Sequence, residues 1–270
     1  GGAVAVLALA GVGVFLATPH SKTAPPATPI AVEGKARQAV EAALPGIACS
    51  WLDVTDVYTG PQGLIVRLRG VAGRPAATQG AISSATSSAG MPLADLHLDE
   101  VAPVGEQLCG PLDALRAVRA PGGGGLSTPQ RKFEIVKQTN GKTAARAIIN
   151  MAPRDPNLDF ALVGLEPTGK MDIIIHSRAE LNALKAAQPA EGGALADLGG
   201  DSYRLQIDTD HTGWSGMLLI TGKGPFDPKL LSGEASDRGP DWPARFKAAA
   251  AQGGWKTEMV WYRTVNPGET

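Results

Sequence analysis

Ser215 lies within Gly213-Trp214-Ser215-Gly216-Met217, one residue short of the G-x-S-x-G of a nucleophile elbow, with His211, Asp210 and Asp208 just upstream. A hydroxyl, an imidazole and a carboxylate are the parts of acyl-transfer chemistry: nucleophile, base and orienting group. Two features oppose that reading. Met217 stands where the elbow needs a second glycine for its tight turn. The candidates are also so close in sequence that a strand-to-turn segment is expected to splay them apart. A glycine-punctuated strand is the expectation, and an envelope hydrolase acting through Ser215 is the alternative. The other histidines offer less. His97 alternates with Leu96 and Leu98 on the polar side of a strand and His176 follows Ile175 at a strand end, so both are expected in solvent. A Gly-rich kinase loop, H-R-D and D-F-G are all missing, which excludes phosphoryl transfer by these residues. No residue is taken as catalytic.

Binding chemistry has better candidates. Trp214, Trp242, Trp255 and Trp261 could line a carbohydrate or peptide groove, with Asp241 beside them, because exposed indole faces stack on such ligands. Trp242 and Trp255 also flank a helix that has to pack, so a core position is the competing expectation. Cys49 and Cys109 are the two cysteines of the chain. Two sulfurs without neighbouring His or further Cys are too few for a metal site. In an oxidising compartment they are expected to pair, closing a loop of about 60 residues worth roughly 4 kcal/mol in the chain-entropy model. Neither a metal nor a cofactor is expected. A formal net charge of -1 and the lack of a basic stripe exclude a nucleic-acid partner.

These residues need elements to hold them. Gly1 to Ala17 contains no charged or amide side chain and stops at Thr18, Pro19 and His20. At about 1.5 Å per residue, such a run reaches roughly 26 Å of an about 30 Å hydrocarbon core, so residues 1–17 are expected to form a transmembrane helix. A cleaved signal peptide is the competitor. Either sends the remainder across a membrane, and the expected location is a single-pass protein of the bacterial inner membrane with its bulk in the periplasm. Residues 18–29 are a Pro-rich linker, stiff and extended. Residues 120–129 are a second linker, whose four consecutive glycines disfavour any regular element, so proteolysis is expected to separate two structured units there.

Between the linkers, residues 30–119 change period. Val32, Ala36, Val40 and Leu44 recur at helical spacing; Leu52 and Val54, then Leu64, Val66 and Leu68, alternate with polar residues as a hairpin. A helix follows over Arg74–Ala89, and Leu96 and Leu98 mark a third strand. This α-β-β-α-β order, with Gly63, Val66, Leu68, Gly70 and Val71 standing as G-x-x-V-x-L-x-G-V, resembles the BON domain of bacterial envelope proteins. The resemblance implies a small module that binds phospholipid or another envelope component without catalysis; a module that merely spaces its neighbour is the competing reading.

Residues 130–270 read as β. Strand-like runs flank Thr139-Asn140-Gly141-Lys142 and Glu166-Pro167-Thr168-Gly169-Lys170, both hairpin signals. Tyr203, Leu205 and Ile207 alternate, Met217–Ile220 is a continuous apolar run, and Lys256–Thr264 closes the series. Two helices are expected, Arg178–Ala187 and Asp241–Gln252, the second with Asp241 at its N-cap and Gly253 at its stop. The fold class is therefore α+β: a transmembrane helix, the small α-β-β-α-β domain and a mainly antiparallel β-sandwich with two helices. The segments Asp159–Lys170 and Gly213–Thr221 are similar to β-sandwich domains that follow the membrane span in bacterial Ser/Thr protein kinases. That resemblance implies a sensing region serving an enzyme outside this chain. The functional expectation is a non-catalytic, membrane-anchored sensor or binding region that meets an envelope lipid, glycan or protein.

Overall fold

A computed structural model describes residues 29–138, 141–187 and 193–269. The helical spacing near the start produces α1 (Pro29–Ala43), which buries Ala36 and Val40 and ends in a tight turn at Leu44–Gly46. β1 (Ser50–Gly60) and β2 (Gly63–Ala72) form an antiparallel hairpin. α2 (Pro75–Ser88) then crosses back, and β3 (Leu93–Pro103) joins β2 in parallel, giving the order β1-β2-β3. Leu52, Val66 and Leu68 pack from one face of this sheet against α1 and against Ile82 of α2. Gly70 is obligatory at the pairing: its φ is +133°, and a Cβ there would stand 2.0 Å from the carbonyl oxygen of Trp51.

After β3 comes α3 (Cys109–Arg116), fastened to the start of β1. A disulfide joins Cys49 to Cys109. Asp113 accepts from the Cys49 amide at 2.7 Å, and buried Arg116 donates to the Ser50 carbonyl at 2.7 Å and to Asp113 at 2.8 Å. A buried guanidinium is tolerable only when its donors are used, and these are.

The remaining elements build two facing sheets. In chain order they are β4 (Leu126–Ser127), β5 (Lys132–Glu134), β6 (Val136–Lys137), β7 (Thr143–Met151), β8 (Asp159–Leu165), β9 (Met171–Ile175), α4 (Arg178–Ala187), β10 (Leu195–Gly199), β11 (Ser202–Thr209), β12 (Gly213–Gly222), α5 (Pro228–Leu231), α6 (Trp242–Gly253) and β13 (Lys256–Val265). One sheet runs β10-β11-β7-β4, with β6 also on β7; the other runs β5-β13-β12-β8-β9. Pairing is antiparallel except between β13 and β5. Ile149, Met151 and Leu205 meet Phe160, Leu162, Met217 and Leu219 between the sheets.

The outer face of the second sheet is covered as well. Val163, Leu218, Ile220 and Trp261 pack against α3, α5 and α6, and also against Trp51 and Val71 of the first unit. A sheet buried on both faces needs continuous apolar strands, which is the physical meaning of the Met217–Ile220 run. The two units thus share one apolar cluster. The connection between them is tied down too: Thr257 donates through its hydroxyl to the Leu115 carbonyl at 2.8 Å, the Ala120 amide donates to Thr257, and residues 126–127 of the expected linker are strand β4.

Some expectations need correction. No described helix is long and apolar enough to cross a membrane. Even α1, with 15 residues, carries Glu33, Lys35, Arg37 and Glu41, and the most apolar described run is a strand. Residues 1–17, where the transmembrane helix is expected, lie outside the described residues, as do residues 18–28 and the turn residues 139 and 140. The fold class becomes a mixed α+β fold with three sheets and six α-helices among the described residues. The sandwich also carries a third helix, α5, beside α4 and α6. Asp241 does hold the N-cap position of α6, although its side chain makes no capping hydrogen bond and its carboxylate pairs with Arg245 at 3.2 Å; the left-handed stop is Gly254 (φ 62°), one residue beyond Gly253.

Candidate functional site

The structure brings Ser215 and His211 together, contrary to the expectation that their closeness in sequence would separate them. Ser215 Oγ lies 3.1 Å from His211 Nε2. The reason is topological. The turn from β11 to β12 passes from one sheet to the other and folds back over the strand it enters, held by the hydroxyl of Thr264, which donates to the His211 carbonyl. The carboxylates do not complete a triad. Asp208 pairs with Arg146 at 3.1 Å, and exposed Asp210 is 3.7 Å from His211 Nδ1, beyond hydrogen-bond range.

Around Ser215 is a small hollow of about 130 Å³, closed by Glu166, Met217 and Tyr262. Burial pushes the Tyr262 hydroxyl above the ordinary phenol range, opposed by a hydrogen bond with Thr209. Ser215 itself is 3% exposed and sits within a strand that faces Tyr262 of β13, while the next residue, Gly216, is paired on both sides. A nucleophile elbow presents its serine at a sharp turn with free amides beside it. Here the serine is internal and the strand is committed to its ladders.

The four tryptophans divide. Trp242 and Trp255 are core residues: Trp242 stacks on Phe246 with centroids 5.4 Å apart, and Phe246 meets Trp255 edge-on at 5.7 Å. Their indole N–H groups donate to the Leu230 carbonyl at 3.0 Å and to the Lys223 carbonyl at 3.2 Å. Trp214 is partly buried beneath the Arg131 guanidinium, whose Cζ is 5.1 Å from the ring centre. Trp261 forms part of a wall at the junction of the two units.

That junction holds a cleft of about 360 Å³ between the charged face of the β1-β2-β3 sheet and strand β13. Arg119 reaches it from the end of α3, its Cζ 4.6 Å over the Trp51 ring, donating to the Leu52 carbonyl at 2.6 Å and to the Asp53 carboxylate. Arg69 donates to Glu100, and the Arg131 guanidinium lies 3.8 Å from the same carboxylate. The hydrogen bond from Arg69 holds the Glu100 carboxyl below the usual range; partial burial opposes it, and the charges of Arg69, Arg131 and Arg67 reinforce it. Burial lowers Arg131 first, and the positive charge of Arg69 lowers it further. With Asp53 and Glu258 also in the lining, the three guanidinium groups at the junction are matched by three carboxylates.

The glycine run forms another wall. Gly122, Gly123 and Gly124 all have positive φ, Arg154 donates to the Gly123 carbonyl, and the Gly125 amide donates to Glu258 at 2.6 Å. A second hollow of about 650 Å³ adjoins the cleft and shares Asp53, Arg119, Gly122 and Gly123 with it. Trp51 and Trp261 are buried to 1% and 4% exposure, and their indole Nε1–H groups find no acceptor among the described residues. Of this site, Trp261 is the part that the tryptophan pattern marks. Arg69, Arg119, Arg131 and Trp51 are invisible to local patterns, although an arginine on each side of a glycine run is a signal that a linker reading passes over. Among the described residues no three His, Cys, Asp or Glu side chains gather as a metal site. The chain matches no protein-family model and no curated protein.

Proposed function

We propose that this chain is a non-catalytic binding region of a bacterial envelope protein and that it takes its ligand in the cleft between its two units. The observation that carries the reading is the cleft of about 360 Å³ at the junction, walled by Trp51 and Trp261 and by Arg69, Arg119 and Arg131. A hollow of that size, lined by aromatic and charged side chains where two units meet, is the usual setting of a ligand site. The Cys49–Cys109 disulfide supports placement outside the cytoplasm, where such bonds persist. The likeness of the second unit to regions of Ser/Thr protein kinases supports a sensing role, with occupancy passed to an enzyme outside this chain.

Co-sedimentation with phospholipid vesicles and with peptidoglycan, at low and at physiological salt, tests the reading. Retention by one of these fractions without turnover is expected. Retention by neither removes envelope binding and leaves a spacer or partner-docking role.

The 3.1 Å contact between Ser215 and His211 favours a second reading, hydrolysis through Ser215. Burial of the serine and the unsupported imidazole weigh against it. Loss of an envelope hydrolysis in the Ser215→Ala variant would overturn the binding reading in its favour.

A further inference from the structure

We infer that one end of the first unit, formed by the start of α1, the turn between β1 and β2 and the loop from α2 to β3, rests against a lipid surface. The inference rests on the envelope placement proposed above and concerns a surface apart from the cleft. Three segments meet at this end. Residues 29–32 open α1, residues 57–66 span the hairpin turn, and residues 75–94 run through α2 into β3; none of them contains Lys, Arg, Asp, Glu or His. The fold joins them. The Thr59 amide donates to the Glu33 carboxylate of α1 at 2.8 Å, Leu64 of β2 pairs with Leu93 of β3, and Val57, Leu64 and Met91 share one core against which Val32 packs. Glu33 is thereby engaged by a backbone amide, and the charges resume beyond this end with Lys35, Asp56, Arg67 and Asp95.

An uncharged surface can be set against lipid without stripping water from ions, which is the costly part of such a transfer. It also carries an apolar anchor. Ile30, in the first turn of α1, is 81% exposed, more than any other large apolar side chain among the described residues, and Pro61 and Gln62 are exposed at the hairpin turn. The occupant follows from where the chain enters. Residues 1–28 join the unit at Pro29, residues 1–17 are an apolar run without a charge, and Lys22 is the one charged residue before Pro29. Such a run favours an apolar phase over water, so through residues 18–28 it holds this end at high effective concentration beside that phase. The cleft stays clear of the contact, because Arg69 lies six residues along β2 from Gly63, about 20 Å in an extended strand.

The test uses the whole chain, oxidised, with vesicles of phosphatidylcholine that carries a diazirine next to its headgroup, alone and mixed equally with phosphatidylglycerol. After photolysis the labelled peptides are mapped by mass spectrometry. Label is expected on residues 29–32, 59–63 and 89–94, severalfold above that on residues 119–124 of the cleft and 233–241 of the second unit. With no charge at this end, the pattern is expected to be the same in both vesicles and at low and physiological salt. Ile30→Asp removes the apolar anchor and is expected to lower the label on these segments about tenfold. Pro61→Asp with Gln62→Asp places two charges on an exposed turn that contributes nothing to the core, and is expected to lower it severalfold. An unchanged urea midpoint verifies that each variant is folded.

Label confined to residues 1–28, label spread evenly over both units, or indifference to both variants would overturn the inference. A pattern seen only with phosphatidylglycerol at low salt would overturn it too, because charges elsewhere on the chain would then carry the contact. If this end goes unlabelled while vesicles or peptidoglycan still retain the chain, the inference falls and the binding reading stands.

Discussion

Trp242 and Trp255 are buried as deeply as Trp51 and Trp261, yet the first pair donate to carbonyls within 3.2 Å and the second pair find no acceptor among the described residues. The first pair sit where α6 meets α5 and the turn after β12, so the same packing that buries them delivers an acceptor. The second pair sit where two separately built units meet, and neither unit supplies one. Among the described residues these two are the buried side-chain donors left without an acceptor, and such groups are rare in folded proteins.

The largest expected effect concerns what holds the Trp51 side of the junction. The disulfide ties α3 to the start of β1, next to Trp51 and Ser50, across a sequence separation of 60. A Cys49→Ser, Cys109→Ser double variant should lose about 4 kcal/mol in urea unfolding by the loop-entropy relation. A loss under about 1 kcal/mol would show that Arg116 and Asp113 fasten α3 without the bond. Because the apolar cluster includes residues of both units, unfolding should also remain a single transition in the oxidised chain. Two resolved transitions would separate the units and make the junction an incidental contact.

The contrast between the tryptophans can be tested by one substitution at two places. Trp242→Phe removes a satisfied N–H and strands the Leu230 carbonyl, whereas Trp261→Phe removes an N–H with no partner. The same loss of volume occurs at both, so Trp242→Phe should be the more destabilising by about 1–3 kcal/mol. Equal losses in thermal unfolding would mean that Trp261 is satisfied after all, and the comparison would collapse.

Ser215→Ala comes next. The serine donates or accepts one hydrogen bond to a partly exposed imidazole, so a loss of about 1 kcal/mol and no change in any ligand titration at the cleft are expected. A change in cleft affinity would join the two hollows into one functional unit.

The smallest effect is electrostatic. The Glu100 carboxyl is lowered mainly by the Arg69 hydrogen bond, so its contribution is present above the ordinary carboxylate range and is lost as pH falls from there through the lowered folded value. Arg69→Gln should bring the folded value back toward the ordinary one and flatten that acid loss. With both side chains about half exposed, the change should stay well under 1 kcal/mol. A Glu100 titration by NMR that is unchanged in Arg69→Gln would leave Arg131 and Arg67 as its dominant partners.

The periodicity of Val32, Ala36 and Val40, the alternation around Leu64–Leu68, the Asn140-Gly141 pair between β6 and β7 and the unbroken Met217–Ile220 run were enough to read helices, hairpins and a buried strand from residue order. Those features are local: their physics lies within one turn of helix or one pleat of strand, and neighbours along the chain are neighbours in space. The cysteine pair was legible for a similar reason, since two thiols in an oxidising setting leave one pairing to make. Element order and element type were thus written in the chain. The approach of His211 to Ser215, the core role of Trp242 and Trp255, and the convergence of Arg69, Arg119 and Arg131 beside Trp51 and Trp261 were not. Each depends on which faces of three sheets come together, and residues 69 and 131 carry no mark of meeting at Glu100 until α3 is stapled to β1 and β13 is laid beside it. Tertiary packing alone decided that the glycine run would be a wall of a cleft and that two indole donors would be buried at the junction with no acceptor among the described residues, because only the docking of the two units takes those groups away from water.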